Sequence, residues 1–155
     1  MLLWSKGQME NFKPQMQTVT ANNLFNYLDK LFSSNEKIKL VFTNPQNLTL
    51  TSDENYLQTI MYNLTSNAVK ALANTNDAII EWKAFDKEGK TILSITDNGP
   101  GLSQESMEKL YHQTTVASTS TGLGLHLVRD LAKAIQCDID VQSKLGEGTI
   151  FSLFG

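Results

Sequence analysis

The order of helical and extended patterns predicts an α+β fold, a two-layer α/β sandwich. Its sheet is expected to be mixed and mostly antiparallel, with the helices on one face. Two observations predict this fold. Apolar residues recur at helical spacing in three segments: 21–34, 54–74 and 123–136. Short apolar runs of strand type come in pairs along the chain, which disfavours a doubly wound parallel sheet: 38–43 with 48–52, 78–85 with 91–97, and 138–144 with 149–154.

The N-terminal third opens with residues 1–15, which we interpret as the remainder of a helix that ends before Pro14. The next helix, 21–34, carries its apolar side chains at core-facing positions: Leu24, Phe25, Leu28, Leu31 and Phe32. After it, the strand 38–43 runs into a turn marked by Pro45 and Asn47, and a second short strand follows.

The long helix 54–74 is expected to start after a capping side chain, Asp53 or Ser52. Its predicted core positions are Leu57, Ile60, Met61, Leu64, Ala68 and Leu72. The remaining elements in order are a hairpin with Gly89 at its turn, a short helix 104–111, a Ser- and Thr-rich loop 112–121, the helix 123–136 and a closing hairpin.

Composition excludes several classes of function. The chain has 155 residues, enough for one domain with a core, and a net charge of −3, so no basic surface for nucleic acid is indicated. Cys137 is the only cysteine, which excludes a disulfide framework and a Cys-rich zinc site. The two histidines, His112 and His126, stand apart and do not suggest a zinc pair or a Ser-His-Asp set. No apolar run is long enough to span a bilayer.

The stretch TDNGPGLS, residues 96–103, follows a strand that ends at Asp97. Asn-Gly and Pro-Gly pairs are strong turn signals, so the stretch alone favours a plain turn. The other interpretation is a loop that presents the Asp97 carboxylate to a ligand, with Gly99 and Gly101 allowing the backbone to approach it closely.

The helix stretch YNLTSNAVKAL carries a polar stripe beside its apolar face. On a helical wheel, Asn63, Asn67 and Lys70 lie together at the boundary between core and solvent. A solvated face would explain the stripe. A ligand site would explain it too, because an Asn amide oxygen suits Mg²⁺, and a Lys one turn on can meet the phosphates that share the ion.

The stretch STGLGLHLVRDL places Gly122 and Gly124 before an amphipathic helix. Free N–H groups at a helix N-terminus bind anions, although two hinge glycines in a flexible loop would read the same way. Two similar patterns are rejected. EGKT lacks the first glycine of a P-loop, since position 84 is Ala, and neither glycine-rich stretch has the third glycine of a dinucleotide fingerprint.

Taken together, in this order, NLTSNAVKA, DNGPGLS, STGLGLHLVRDL and GEGTIFSL resemble the N box, the two glycine boxes and the closing hairpin of sensor histidine kinase catalytic domains. These belong to the gyrase, heat-shock chaperone, histidine kinase and MutL superfamily. The resemblance covers residues 16–155 and implies the Bergerat-type sandwich. It implies an ATP-binding catalytic domain, with residues 1–15 as the remnant of a preceding dimerisation helix.

The resemblance also implies roles for single residues. Asp97 would accept a hydrogen bond from the adenine amine, and Asn67 would bind Mg²⁺ with Asn63 in support. Lys70 would bind the phosphates. The remaining nucleotide contacts that it implies come from Gly99, Gly101, Tyr111, Thr121, Gly122, Leu123, Gly124 and Leu125.

Position 63 separates branches of that superfamily. Relatives that hydrolyse ATP carry a Glu there, whereas this chain has Asn63, which is no base at neutral pH. The chain also departs from the family pattern at Ala71, Ser120 and Tyr111, and its loop 112–121 contains no Lys or Arg. A nucleotide-binding module with weak or no catalysis is therefore one alternative, and an anti-sigma-factor-like serine kinase is another.

The implied partners are ATP, a separate dimerisation domain that carries the phosphoacceptor histidine, and a response regulator receiver domain. The chain alone is expected to be a monomer that binds no nucleic acid. The resemblance implies a cytoplasmic location, with this chain as the cytoplasmic part of a larger kinase. A membrane anchor elsewhere in that kinase is compatible with this location.

Overall fold

The computed structural model describes residues 13–101 and 122–155, except for the side chains of 122–126. The short helix predicted at 104–111, the loop 112–121 and most of the segment 1–15 lie outside this part. The strands are β1 (Gln17–Thr20), β2 (Ile38–Thr43), β3 (Thr49–Ser52), β4 (Ala78–Lys87), β5 (Lys90–Asp97), β6 (Asp138–Lys144) and β7 (Gly148–Phe154). The helices are α1 (Ala21–Phe32), α2 (Glu54–Ala71) and α3 (Gly122–Ala134).

The main sheet has five strands in the order β2-β4-β5-β7-β6, so β5 lies at its centre. Every neighbouring pair in it is antiparallel except β2 and β4, which are parallel. The mixed, mostly antiparallel sheet is therefore confirmed. The expectation that strands adjacent in sequence always pair is wrong for β2 and β3, because β3 pairs with β1 in a separate two-stranded sheet.

The helices pack on one face of this sheet and form the core with it. All six predicted core positions of α2 are buried, and on β4 every second side chain from Ala78 to Ala84 points into the same core. Trp82 is fully buried there, and its indole N–H donates to the Thr65 hydroxyl of α2 at 2.9 Å. This bond satisfies a polar group that burial would otherwise leave without a partner, and it ties α2 to the sheet.

The start of α2 and the turn of the hairpin between β4 and β5 are determined by residues at those positions, as the sequence predicted. Asp53 is the N-cap of α2, and its Oδ1 accepts from the Tyr56 backbone N–H at 3.1 Å. Glu88 and Gly89 both have positive φ, 54° and 82°, as a tight two-residue hairpin turn requires. The sequence EGKT is thus part of a β-hairpin, which agrees with its rejection as a phosphate-binding loop.

Two further details differ from the sequence prediction. Leu31, expected in the core, is 45% exposed because it lies at the outer edge of the last turn of α1. Strand β1 was not predicted, since among its four residues Val19 alone is apolar and its partner β3 lies far along the chain. Within the described residues, no helix combines the length and the hydropathy that a membrane crossing needs.

Candidate functional site

Asp97 ends the central strand β5, and its side chain is only 8% exposed. Its Oδ1 accepts a hydrogen bond from the backbone N–H of Gly99 at 2.9 Å. Burial raises the pKa of the carboxyl above its ordinary value, while the backbone N–H groups of Gly99 and Thr149 act in the opposite direction and lower it. A buried carboxylate held by backbone donors at a strand end is preorganised to accept one more hydrogen bond.

The loop after Asp97, residues 98–101, which we call the Asp97 loop, packs closely against its neighbours at both of its glycines. A Cβ on Gly99 would lie 3.0 Å from Asp97 Oδ1 and 3.1 Å from Leu72 Cδ2 at the end of α2. Gly101 has φ +74°, and a Cβ there would collide with the Lys144 carbonyl of β6. Gly101 is therefore required by space and by backbone conformation, whereas a side chain at Gly99 would be tightly packed against Asp97 and Leu72.

A third glycine, which the sequence analysis did not assign to the site, holds the same loop from the other side. Gly148 begins β7 with φ +110°, and a Cβ would collide with the backbone carbonyl of Asp97. Next to it, the Gly146 N–H donates to the Pro100 carbonyl at 2.8 Å. The turn between β6 and β7 thus supports the Asp97 loop, and the motif GEGT was the signal that could have indicated it.

The polar stripe of α2 is present as predicted, but its members differ in their surroundings. Lys70 is exposed in the last turn, while Asn63 is half-buried and its Nδ2 donates to the Thr59 carbonyl of the same helix at 2.7 Å. Asn67 has a fully buried Nδ2 for which the described part of the chain offers no hydrogen-bond partner. An unpartnered amide at the edge of the core is the feature that a bound ligand would satisfy.

Helix α3 begins at Gly122, so Gly124 lies inside its first turn and not before the helix as the sequence suggested. The first four residues of the helix are Gly122, Leu123, Gly124 and Leu125, and their N–H groups have no partner within the helix. Helix α3 packs against α2, which brings a helix N-terminus and the polar stripe onto neighbouring elements. Tyr111 and Thr121 lie outside the described residues.

Among the described residues, no all-protein cage of charged or soft ligands for a metal is present. The described ranges contain no group of three or more His, Cys, Asp or Glu side chains close enough to hold an ion. The Asn67 amide oxygen is a neutral ligand that suits a different arrangement, in which Mg²⁺ takes one or two protein oxygens and the rest of its ligands are water and substrate phosphates. The donor set therefore fits an ion that arrives with a nucleotide.

These residues converge around one end of α2. The carbonyl of Ala71 and the side chain of Leu72, at the end of this helix, face Gly99 in the Asp97 loop. The Asp97 carboxylate therefore lies near the end of α2 that carries Lys70, and α3 packs against the same helix. Such a combination can bind a molecule with a hydrogen-bond donor at one end and anionic groups at the other.

Comparison with known proteins identifies the family. Residues 52–154 match the family described as histidine kinase-, DNA gyrase B- and HSP90-like ATPase. The sensor protein BceS of Halalkalibacterium halodurans is 33% identical over 108 residues, which are 66% of this chain and 31% of the relative. The chain spans about a third of the length of the curated relatives it matches.

Solved structures share the fold. The catalytic domain of the histidine kinase ThkA superposes with a TM-score of 0.77 at 23% identity, and the match covers 90% of this chain and 94% of that domain. Full-length ShkA in complex with AMPPNP gives a TM-score of 0.78 at 24% identity over 96% of this chain and 33% of ShkA. The two-layer α+β sandwich is thus the fold of histidine kinase catalytic domains.

Proposed function

The chain belongs to the histidine kinase-, DNA gyrase B- and HSP90-like ATPase family, and on this premise we propose that it is the ATP-binding catalytic domain of a sensor histidine kinase. The domain comprises residues 16–155, and residues 1–15 are the remnant of a dimerisation helix. This chain is the cytoplasmic part of a larger kinase, and on its own it is a monomer.

The observation that carries the proposal is the buried Asp97 carboxylate at the end of β5. The adenine amine donates to it, and guanine, which has a carbonyl at the same place, would set two acceptors against each other. Gly99 and Gly101 let the loop backbone pass close to the base, as the family pattern implies. Tyr111, which lies outside the described residues, also contributes to nucleotide binding, as the family pattern implies.

The triphosphate occupies the side of the site formed by α2 and the N-terminus of α3. Lys70 and the N–H groups of Gly122 to Leu125 bind its anionic oxygens, and Thr121 adds a hydroxyl. Asn67 holds Mg²⁺ through its amide oxygen and Asn63 supports it; the ion, when bound, neutralises phosphate charge. The Nδ2 of the same side chain, which is buried without a partner among the described residues, donates to a phosphate oxygen.

The reaction that suits this residue set is transfer to a histidine. An imidazole nitrogen of the acceptor attacks the γ-phosphorus, the bond to the bridging oxygen breaks, and ADP leaves. Imidazole needs no base to become a nucleophile, so catalysis rests on positioning and charge neutralisation. Asn63 cannot deprotonate water at neutral pH, which disfavours ATP hydrolysis as a competing reaction.

The partners follow from this reaction. The acceptor histidine lies on a separate dimerisation domain of the same kinase, and the phosphoryl group then passes to the receiver domain of a response regulator. BceS, to which this chain is similar, is a sensor protein. The place of the chain in a two-component system is part of the proposal.

Phosphotransfer in trans tests the proposal. The chain is incubated with γ-labelled ATP, with and without a histidine-bearing dimerisation hairpin. We expect acid-labile label on the histidine of the hairpin only, and no appreciable hydrolysis without it. Label on His112 or His126 of this chain, or steady hydrolysis in the absence of the hairpin, would contradict the assignment. A hairpin with its histidine changed to Ala is the matched control.

A further inference from the structure

Asn98 lies between Asp97 and Gly99, where the chain leaves β5. Its side chain is exposed, yet both ends of its amide bind the backbone at the start of β4. Oδ1 accepts from the Ile79 N–H at 2.8 Å, and Nδ2 donates to the Asp77 carbonyl at 2.9 Å. The backbone N–H of Asn98 also donates to the Ile79 carbonyl at 3.3 Å.

At this end of the β4–β5 pairing, a side-chain oxygen takes the place of a backbone carbonyl as the hydrogen-bond acceptor. In a regular antiparallel pair, two facing residues exchange both of their backbone hydrogen bonds. Asn98 gives its N–H to Ile79 in the regular way, but the N–H of Ile79 reaches the side-chain oxygen of Asn98. The ladder therefore does not require the carbonyl of Asn98, and the chain can turn out of the sheet directly after Asp97.

The second hydrogen bond reaches the connection between α2 and β4. Asp77 is the last residue of that connection and has a positive φ of 52°. On the other side of the loop, Gly99 lies against Leu72 and the carbonyl of Ala71 at the end of α2. The Asp97 loop is thus attached at both ends of the same connection: by contact at its beginning and by the Asn98 amide at its end.

We propose that Asn98 is a positioning residue for adenine recognition: its side-chain amide fixes the Asp97 carboxylate relative to the end of α2. The proposal rests on the proposed function, because it assigns to Asn98 the placement of the acceptor that selects the base. Asn98 does not touch the nucleotide. It acts through Asp97, and its loss should affect recognition of the adenine amine more than binding of the phosphates.

A purely structural role would have a different consequence. If Asn98 served only to close the end of β4, its removal would lower stability and weaken all nucleotides by the same factor. If it positions Asp97, its removal should reduce the preference for a base with an exocyclic amine. The informative quantity is therefore a ratio of two affinities, and loss of folded protein does not change that ratio.

The experiment measures dissociation constants of this chain for ADP and for purine riboside 5′-diphosphate, which lacks the amine, by calorimetry with Mg²⁺. Asn98→Ala is compared with the parent chain and with Asn44→Ala. Asn44 is a matched control, because its amide also makes two hydrogen bonds, to the Leu48 N–H at 3.1 Å and the Asn22 Oδ1 at 2.8 Å. It follows β2, at the opposite end of the sheet from Asn98.

The parent chain should prefer ADP. Asn98→Ala should lower that preference by about fivefold, which corresponds to the loss of one neutral hydrogen bond, the bond from the adenine amine to Asp97. Asn44→Ala should keep the parent ratio. Asn98→Asp retains an acceptor for Ile79 but loses the donor to Asp77, and should fall between the two. Its added charge affects both diphosphates alike, so the ratio stays interpretable, and this variant serves if the Ala variant does not fold.

The outcomes separate the two proposals. If the parent chain binds neither nucleotide, or binds both equally, the adenine site itself is wrong. If the parent chain prefers ADP and Asn98→Ala keeps the full preference, the adenine site stands and the role of Asn98 is overturned. A preference that falls equally in Asn98→Ala and Asn44→Ala would also overturn it, since the effect would then not be specific to the Asp97 loop.

Discussion

The Asp97 loop and the polar stripe of α2 contribute to the same proposed ATP site, but their surroundings differ. Around Asp97, the carboxylate has a backbone donor in Gly99, and backbone packs so closely at Gly101 and Gly148 that a Cβ there would collide with it. Along α2, Lys70 is exposed and the buried Nδ2 of Asn67 has no partner among the described residues.

This difference indicates how the two ends bind their ligand. The backbone around Asp97 is closely packed, so we expect adenine binding at this proposed site to cost little ordering and to be selective. Among the described residues of the phosphate end, Lys70 is exposed and the Nδ2 of Asn67 has no partner, so we expect both to gain partners when a nucleotide binds. Changes at the base end should therefore affect stability or selectivity, whereas changes along α2 should affect the dependence on ions.

The largest effect is expected from Gly148→Ala. The new methyl group meets the Asp97 carbonyl, and φ of +110° is strained for any side chain, so we expect a loss of about 3 kcal/mol in the free energy of unfolding. Chemical denaturation measures it. Gly146→Ala is the control: its φ is +83° but its Cβ would meet open space, and about 1 kcal/mol is expected. Equal losses would contradict close packing behind Asp97.

Asp97→Asn should come next, and should act on binding with the fold intact. The amide presents a donor or a weaker acceptor to the adenine amine, so the affinity for ADP should fall by about 1–3 kcal/mol. Calorimetric titration in Mg²⁺ checks this, with circular dichroism to confirm the fold. Unchanged affinity in a folded variant would remove Asp97 from base recognition and abolish the contrast between the two ends.

Asn67→Ala tests the phosphate end. We expect most of the gain in nucleotide affinity on adding Mg²⁺ to disappear, with a difference of about 1 kcal/mol in affinity and little change in stability. Titrations in Mg²⁺ and in EDTA are compared for the variant, the parent and Asn63→Ala. Asn63→Ala should retain more of the Mg²⁺ gain, because its Nδ2 is already bonded to its own helix. If Mg²⁺ helps Asn67→Ala as much as the parent, the ion binds elsewhere.

The smallest effect concerns pH. Because the pKa of Asp97 is raised by burial, the folded chain holds a proton that the unfolded chain has released, from about the ordinary value of 3.8 up to the raised value. Rising pH through this window lowers the stability of the parent chain, and Asp97→Asn lacks this contribution. The free energy of unfolding of the variant minus that of the parent should therefore increase with pH, then level off. A decrease would mean that the pKa is lowered.

The sequence predicted those parts of the molecule that are determined by interactions between residues close together in the chain. The core positions of α2 follow from their spacing, and its start follows from the capping side chain of Asp53. The order of strands did not follow, because the parallel partner of β2 is β4, and the two-residue turn signals that indicate hairpins say nothing about partners across a helix. Strand β1 was not predicted because its own residues carry a weak strand pattern, and the strand that it pairs with, β3, is distant in the sequence.

The same distinction holds within the candidate site. Asp97, Gly99 and Gly101 lie in one motif, so the sequence alone could place them together. Gly148 lies about fifty residues further along the chain, and it contacts the loop because β7 pairs with β5, a pairing that the motif GEGT indicates only once the strand order is known. Asn98 lies in the same motif, but its proposed role depends on its hydrogen bonds to the start of β4, which the motif does not show.

The most direct test of the account is a titration of this chain with ADP and with GDP in the presence of Mg²⁺. We predict that ADP binds with a dissociation constant in the micromolar to millimolar range, about −8 to −4 kcal/mol. GDP should bind at least tenfold more weakly, because its carbonyl faces the Asp97 carboxylate. Equal affinity for the two nucleotides, or no binding of ADP, would contradict the claim that Asp97 makes this chain an adenine-selective nucleotide domain.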